Sequence, residues 1–105
     1  MKILGYDYTV SYLPGVKEGG ADASGFCTVE KQTIKVSRDQ VQQCMESTIL
    51  HEIIELLNRH LSLGLEHPIM ERLEAGLYTV FRDNGVDMSF LLKDLENYTG
   101  GENIT

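Results

Sequence analysis

Five consecutive residues, His51-Glu52-Ile53-Ile54-Glu55, have the types and spacing that hold and use a metal ion. In the pattern H-E-x-x-H, two imidazoles four apart project from one helix face to bind Zn²⁺, and the glutamate between them is a general base on the bound water. Here the second imidazole is replaced by the carboxylate of Glu55. A glutamate oxygen is an ordinary zinc ligand at about 2.0–2.2 Å and takes the same i, i+4 place on the helix. The exchange makes the ligand set harder and more anionic, which lowers the acidity of bound water and opens the site to Mn²⁺ or Mg²⁺. Zn²⁺ is the first expectation, Mn²⁺ the second and a metal-free chain the third.

Two ligands do not close a site, so the remaining histidines and carboxylates matter. Glu74 falls at the border of an apolar helical arc made by Ile69, Met70, Leu73, Leu77, Val80 and Phe81. A carboxylate beside a core needs a partner, and a metal, a tyrosine hydroxyl or an arginine would serve. His67, just before Pro68, is the alternative ligand if its ring turns toward His51; otherwise it is an exposed loop residue. Glu71 points farther into the polar side. His60 lies about 180° from His51 on a continuous helix and reads as a helix C-terminal cation.

The bland reading stands beside the metal reading. At about 100° per residue, Thr48, Glu52, Glu55 and Arg59 share one polar face with His51, opposite an apolar arc of Leu50, Ile53, Ile54, Leu57 and Leu61. Glu55 and Arg59 alone would make an exposed i, i+4 ion pair, and a solvated face of this kind needs no function.

The elements that must position these groups follow from periodicity. Residues 4–12 alternate Leu4, Tyr6, Tyr8, Val10 and Tyr12, the period of a half-buried strand. Residues 14–25 hold four glycines and read as a flexible loop. Residues 26–30 and 33–36 are β-prone and separated by a polar pair, which predicts a hairpin. Ser37 and Gln40 resemble a capping box for a helix over 38–61. Pro68 starts a second helix through Arg82, stopped by Asn84-Gly85, and Asp87 or Ser89 caps a short third one over 90–95. The expected fold is α+β: a small antiparallel sheet of about three strands packed on the helix that carries His51, then a second helix and a short C-terminal one. One domain over residues 1–97 and a frayed tail over 98–105 complete the reading.

With 105 residues, 42% of them hydrophobic, the chain can build one core. A net charge of −7 with the basic residues scattered singly excludes nucleic acid and anionic membrane as partners. An acidic residue, Asp7, interrupts the amino terminus before any signal-like apolar run, and no segment reaches membrane-spanning length, so the expected location is cytoplasmic. Cys27 and Cys44 lack the C-x-x-C spacing of a thiolate site and read as reduced structural thiols.

Three runs together resemble the small zincin-like metallopeptidases of phages and prophages, minimal gluzincins distantly akin to the ImmA/IrrE peptidases. They are Gln32-Thr33-Ile34-Lys35-Val36, the Ser47-Thr48-Ile49-Leu50 segment leading into His51, and Leu73-Glu74-Ala75-Gly76-Leu77-Tyr78-Thr79-Val80-Phe81-Arg82-Asp83-Asn84. The likeness covers about residues 2–86. It implies a metal-dependent peptide hydrolase in which His51 is the first zinc ligand, Glu52 the catalytic base and Glu74 the acidic ligand, with a peptide or protein as substrate. Glu55 departs from the family pattern, so the resemblance also allows a catalytically degenerate zincin-fold regulatory or binding protein. In the peptidase reading, the strand over 33–36 is a candidate edge for binding extended substrate.

Overall fold

The chain's first alternating run breaks at Leu4-Gly5, where both residues take positive φ, 53° and 84°. Positive φ at both central positions is what a two-residue hairpin turn requires. The computed structural model, which describes residues 1–93 and Leu95, therefore has no single strand over 4–12. It has a hairpin of β1 (Lys2–Ile3) and β2 (Tyr6–Asp7), followed by β3 (Thr9–Leu13). Gly19-Gly20, with φ of 60° and 85°, builds a second such turn. The expected loop over 14–25 is thus largely a hairpin, β4 (Val16–Glu18) with β5 (Ala21–Ala23).

β6 (Gly25–Thr28) and β7 (Thr33–Ser37) form the expected antiparallel hairpin, in register at Thr28 and Thr33. β7 also pairs with β3, and this pairing is parallel, Thr9 beside Thr33. The order β3-β7-β6 makes a three-stranded mixed sheet rather than a wholly antiparallel one. A parallel pair needs a long connection, and the segment carrying the β4–β5 hairpin provides it. Both edges of β7 are consumed, so the strand over 33–36 cannot accept a substrate strand; the outer strands are β3 and β6.

Helix α1 (Gln42–Leu61) ends as expected but begins four residues late. Ser37 is committed to the sheet opposite Leu13, and the Gln40 side chain donates to the Ser37 carbonyl at 2.7 Å instead of closing a capping box. Helix α2 (His67–Asp83) carries Pro68 in its first turn, and Gly85, at φ 84°, follows its end. Asp87 accepts the Ser89 N–H and starts a 3₁₀ turn, Met88–Leu92, over the first part of the expected third helix, while Leu95 is helical. The tail over 98–105 lies outside the described residues.

Tyr12, Ile34 and Val36 from the sheet and Ile49 and Leu56 from α1 are the most deeply buried side chains. One flank of α1 lies on β6 and β7, and another meets α2 and the 3₁₀ turn. This double packing corrects the simple amphipathic picture: Thr48 and Glu52, expected on a solvated face, are buried, whereas Leu61 is exposed. His60 is no loose surface cation either. Its ring stacks on Tyr6 with centroids 4.8 Å apart, and its Nε2 is 2.7 Å from the Tyr8 hydroxyl, which ties the end of α1 to the first hairpin. The architecture is α+β, and no helix among the described residues is long and apolar enough to cross a membrane.

Candidate metal centre

The close approach of α1 to β6 depends on Gly25. A Cβ there would lie 2.5 Å from Thr48 Cγ2, 3.1 Å from the Lys35 carbonyl oxygen and 3.3 Å from Glu52 Oε2. Thr48 cannot easily turn away, because its hydroxyl donates to the Cys44 carbonyl at 2.8 Å. The absent side chain brings Glu52 against the strand that carries Cys27 and leaves a cleft of about 480 Å³ above it. Its walls are α1, the first two turns of α2, and the β4–β5 hairpin with the start of β6. Glu18, Glu52, Glu55, Glu71 and Glu74 line the cleft with His51 and His67, and no lysine or arginine does.

His51 on α1 and Glu74 on α2 meet across the helix pair, Nδ1 to Oε1 3.9 Å, each side chain less than one-fifth exposed. Ser47, one turn before His51, donates its hydroxyl to the other oxygen of Glu74. The ring of His67 stands edge-on to that of His51, centroids 5.1 Å apart, while its Nε2 is 3.0 Å from Glu71 Oε1. Glu55 lines the same cleft but does not join this pair. Its Oε1 accepts from Arg59 at 3.1 Å, the ion pair of the bland reading. Among the described residues, the group of three whose donor atoms lie within 4.8 Å of one another is Cys27, Glu52 and Glu55, not His51, Glu55 and Glu74. The structure therefore joins His51 to Glu74, sets His67 beside them, and leaves Glu55 next to Glu52.

Glu52 is 4% exposed, and its Oε1 has no hydrogen-bond partner. Burial is the main reason that its carboxyl is pushed up to about 7; the neighbouring Glu55 and Glu18 carboxylates push the same way, and the Cys27 thiol opposes them. Burial and the nearby Glu52 in turn push the Cys27 thiol well above its ordinary value, so that it stays protonated. A buried carboxylate oxygen without a donor is costly unless a proton or cation meets it. That oxygen marks a place for a proton or a cation, and it belongs to the Cys27–Glu52–Glu55 group, deeper in the cleft wall than the His51–Glu74 pair. His51 and Glu74, 3.9 Å apart, stand at the wide end of the roughly 3–4 Å that separates two ligands each about 2 Å from one ion.

Ser47, Cys27, Gly25 and Glu18 were not legible as site residues. Ser47 carried a usable signal, because a residue four before His51 shares its helix face. The other three lie on strands whose docking against α1 no local pattern encodes. No family model, curated protein or solved structure matches the chain.

Proposed function

We propose that the chain is a metal-dependent peptide hydrolase of zincin type, acting in the cytoplasm and of phage or prophage kind as its resemblance suggests. The observation that carries this reading is the convergence of His51 and Glu74 from two helices, 3.9 Å apart, in an acidic cleft lined also by Glu52, whose Oε1 has no hydrogen-bond partner. His51 and Glu74 would hold the ion, with His67, whose ring stands beside that of His51, as the third ligand in place of the expected Glu55; imidazoles with a carboxylate suit Zn²⁺ first and Mn²⁺ second. When bound, such an ion supplies Lewis-acid polarisation of the scissile carbonyl and of water.

The chain's own residues do the rest. Glu52, poised near neutrality, takes a proton from water as its oxygen attacks the peptide carbonyl carbon, and delivers it to the amine as the C–N bond breaks. Ser47 fixes the rotamer of Glu74 through its hydroxyl, and the cleft walls of α2 and the β4–β5 hairpin limit access to bulk water.

One observation favours a second reading, a catalytically degenerate zincin-fold regulatory or binding protein: Glu55 is held by Arg59 rather than aimed at His51 and Glu74. Elemental analysis of protein purified without chelator separates the two, with His51→Ala and Glu74→Gln as controls. The hydrolase reading requires near-stoichiometric metal that both variants lose, together with peptide cleavage that Glu52→Gln abolishes while keeping its metal. Wild type that is metal-free and resists reloading sinks it. Bound metal without cleavage leaves the regulatory reading.

A further inference from the structure

The apolar arc of α2 is wider than the core needs. Only Met70 and Tyr78 of this helix are buried, while Ile69, Leu73, Leu77, Val80 and Phe81 remain 38–55% exposed. At about 100° per residue, Ile69, Leu73, Leu77 and Val80 form one stripe, roughly a quarter-turn or more from the direction of Glu74 and His67. Midway along its length, on the rim that also carries Arg72 and Asp83, stands Gly76, where an added Cβ would meet nothing within 4 Å. No packing inside the chain calls for glycine there, and glycine is among the poorest residues for a helix interior.

We propose that this face is the contact between two copies of the chain, with the α2 helices antiparallel about a twofold axis between Gly76 and Leu77. That register sets the two Gly76 notches side by side on one rim and the two Leu77 side chains side by side on the other, within about 1.5 Å along the axis, with Leu73 opposite Val80 between them. The charges agree with it. Arg72 and Asp83 lie on the same rim of the stripe near opposite ends, and an antiparallel twofold brings like rims together. Arg72 of one copy then stands within about 3 Å, along the axis, of Asp83 of the other. Both residues are exposed, and Asp83 is met within its own chain only by its neighbour Arg82 at 3.6 Å.

The size is adequate. Five half-exposed apolar side chains offer roughly 400 Å² per copy, and with their polar rim approach the roughly 800 Å² that one partner brings to a standard interface. The cleft opens on the other flank of α2, so the pairing leaves it accessible.

Sedimentation equilibrium of the full chain over a concentration series tests this. The wild type is expected to dimerise. Gly76→Leu, which fills the notch but improves helix propensity, and Val80→Glu should each weaken the dimer about tenfold or more without lowering the melting temperature of the dilute monomer. Arg72→Asp and Asp83→Arg should each weaken it several-fold, and together restore it. A chain that is monomeric at every concentration overturns the proposal, and so does a dimer indifferent to Gly76→Leu and Val80→Glu.

Discussion

Position 52 concentrates the chemistry of the molecule in one carboxyl group. An acid raised from 4.5 to about 7 by burial binds its proton more tightly folded than unfolded. Its contribution to stability is therefore complete below about pH 4.5 and is lost as pH rises through about 7, where the folded chain must hold a buried carboxylate. Glu52→Gln removes that slope. In chelator, the variant should gain on wild type across this window, by up to about 3 kcal/mol at pH 8, as read from urea unfolding at several pH values. A difference that does not change with pH would contradict the assignment. The same carboxyl, near neutrality, has the affinity that a general base requires at physiological pH. Its identity as a candidate base is readable from five residues of sequence. Its burial against Cys27 is not, because a helical wheel knows only one neighbour and α1 has two.

Among the elements, the contact of α1 with β6 decides whether a cleft exists. Gly25→Ala puts a methyl group within 2.5 Å of Thr48 Cγ2 and 3.1 Å of the Lys35 carbonyl oxygen, so strand and helix must separate. Overpacking of this kind costs about 1–3 kcal/mol. We expect that loss in denaturant unfolding, together with weaker metal binding as Glu52 and His51 shift. Thr48→Ser in the Gly25→Ala background removes Cγ2, keeps the hydroxyl bond to Cys44, and should recover part of the loss; no recovery would show that the clash lies elsewhere. Helix α2 and the β6–β7 hairpin were legible almost to the residue, since periodicity, Pro68 and Asn84-Gly85 are local signals. The start of α1 was not, because Ser37 and Gln40 have a competing use in the sheet. Leu4-Gly5 hid a turn inside an alternating run for a similar reason: period two continues through a hairpin whose turn has two residues.

For the molecule as a whole, α2 is the less secured by burial of the two α-helices. Met70 and Tyr78, the Tyr78 hydroxyl bond to Glu46 at 2.7 Å and the Ser47 bond to Glu74 hold it to α1. An ion shared by His51 and Glu74 would staple the two helices together. Zn²⁺ at about a hundred times its dissociation constant should stabilise the fold by about 2.7 kcal/mol. Amide exchange should slow more in α2 than in β7, and both effects should vanish in Glu74→Gln. Equal protection of the two elements, or stabilisation that survives the substitution, would place the ion elsewhere. The amino-acid sequence by itself determined the H-E-x-x-E run, the helix that carries it, the second helix with Glu74, and the α+β class, because each rests on spacing and propensity over a few turns of chain. Only the tertiary structure decided the parallel pairing of β3 with β7, the burial of Glu52 beside Cys27, the meeting of His51 with Glu74, the pairing of Glu55 with Arg59, and the exposure of most of the apolar arc of α2. Each depends on which faces of distant segments meet, and a period along the chain marks a face without naming its partner.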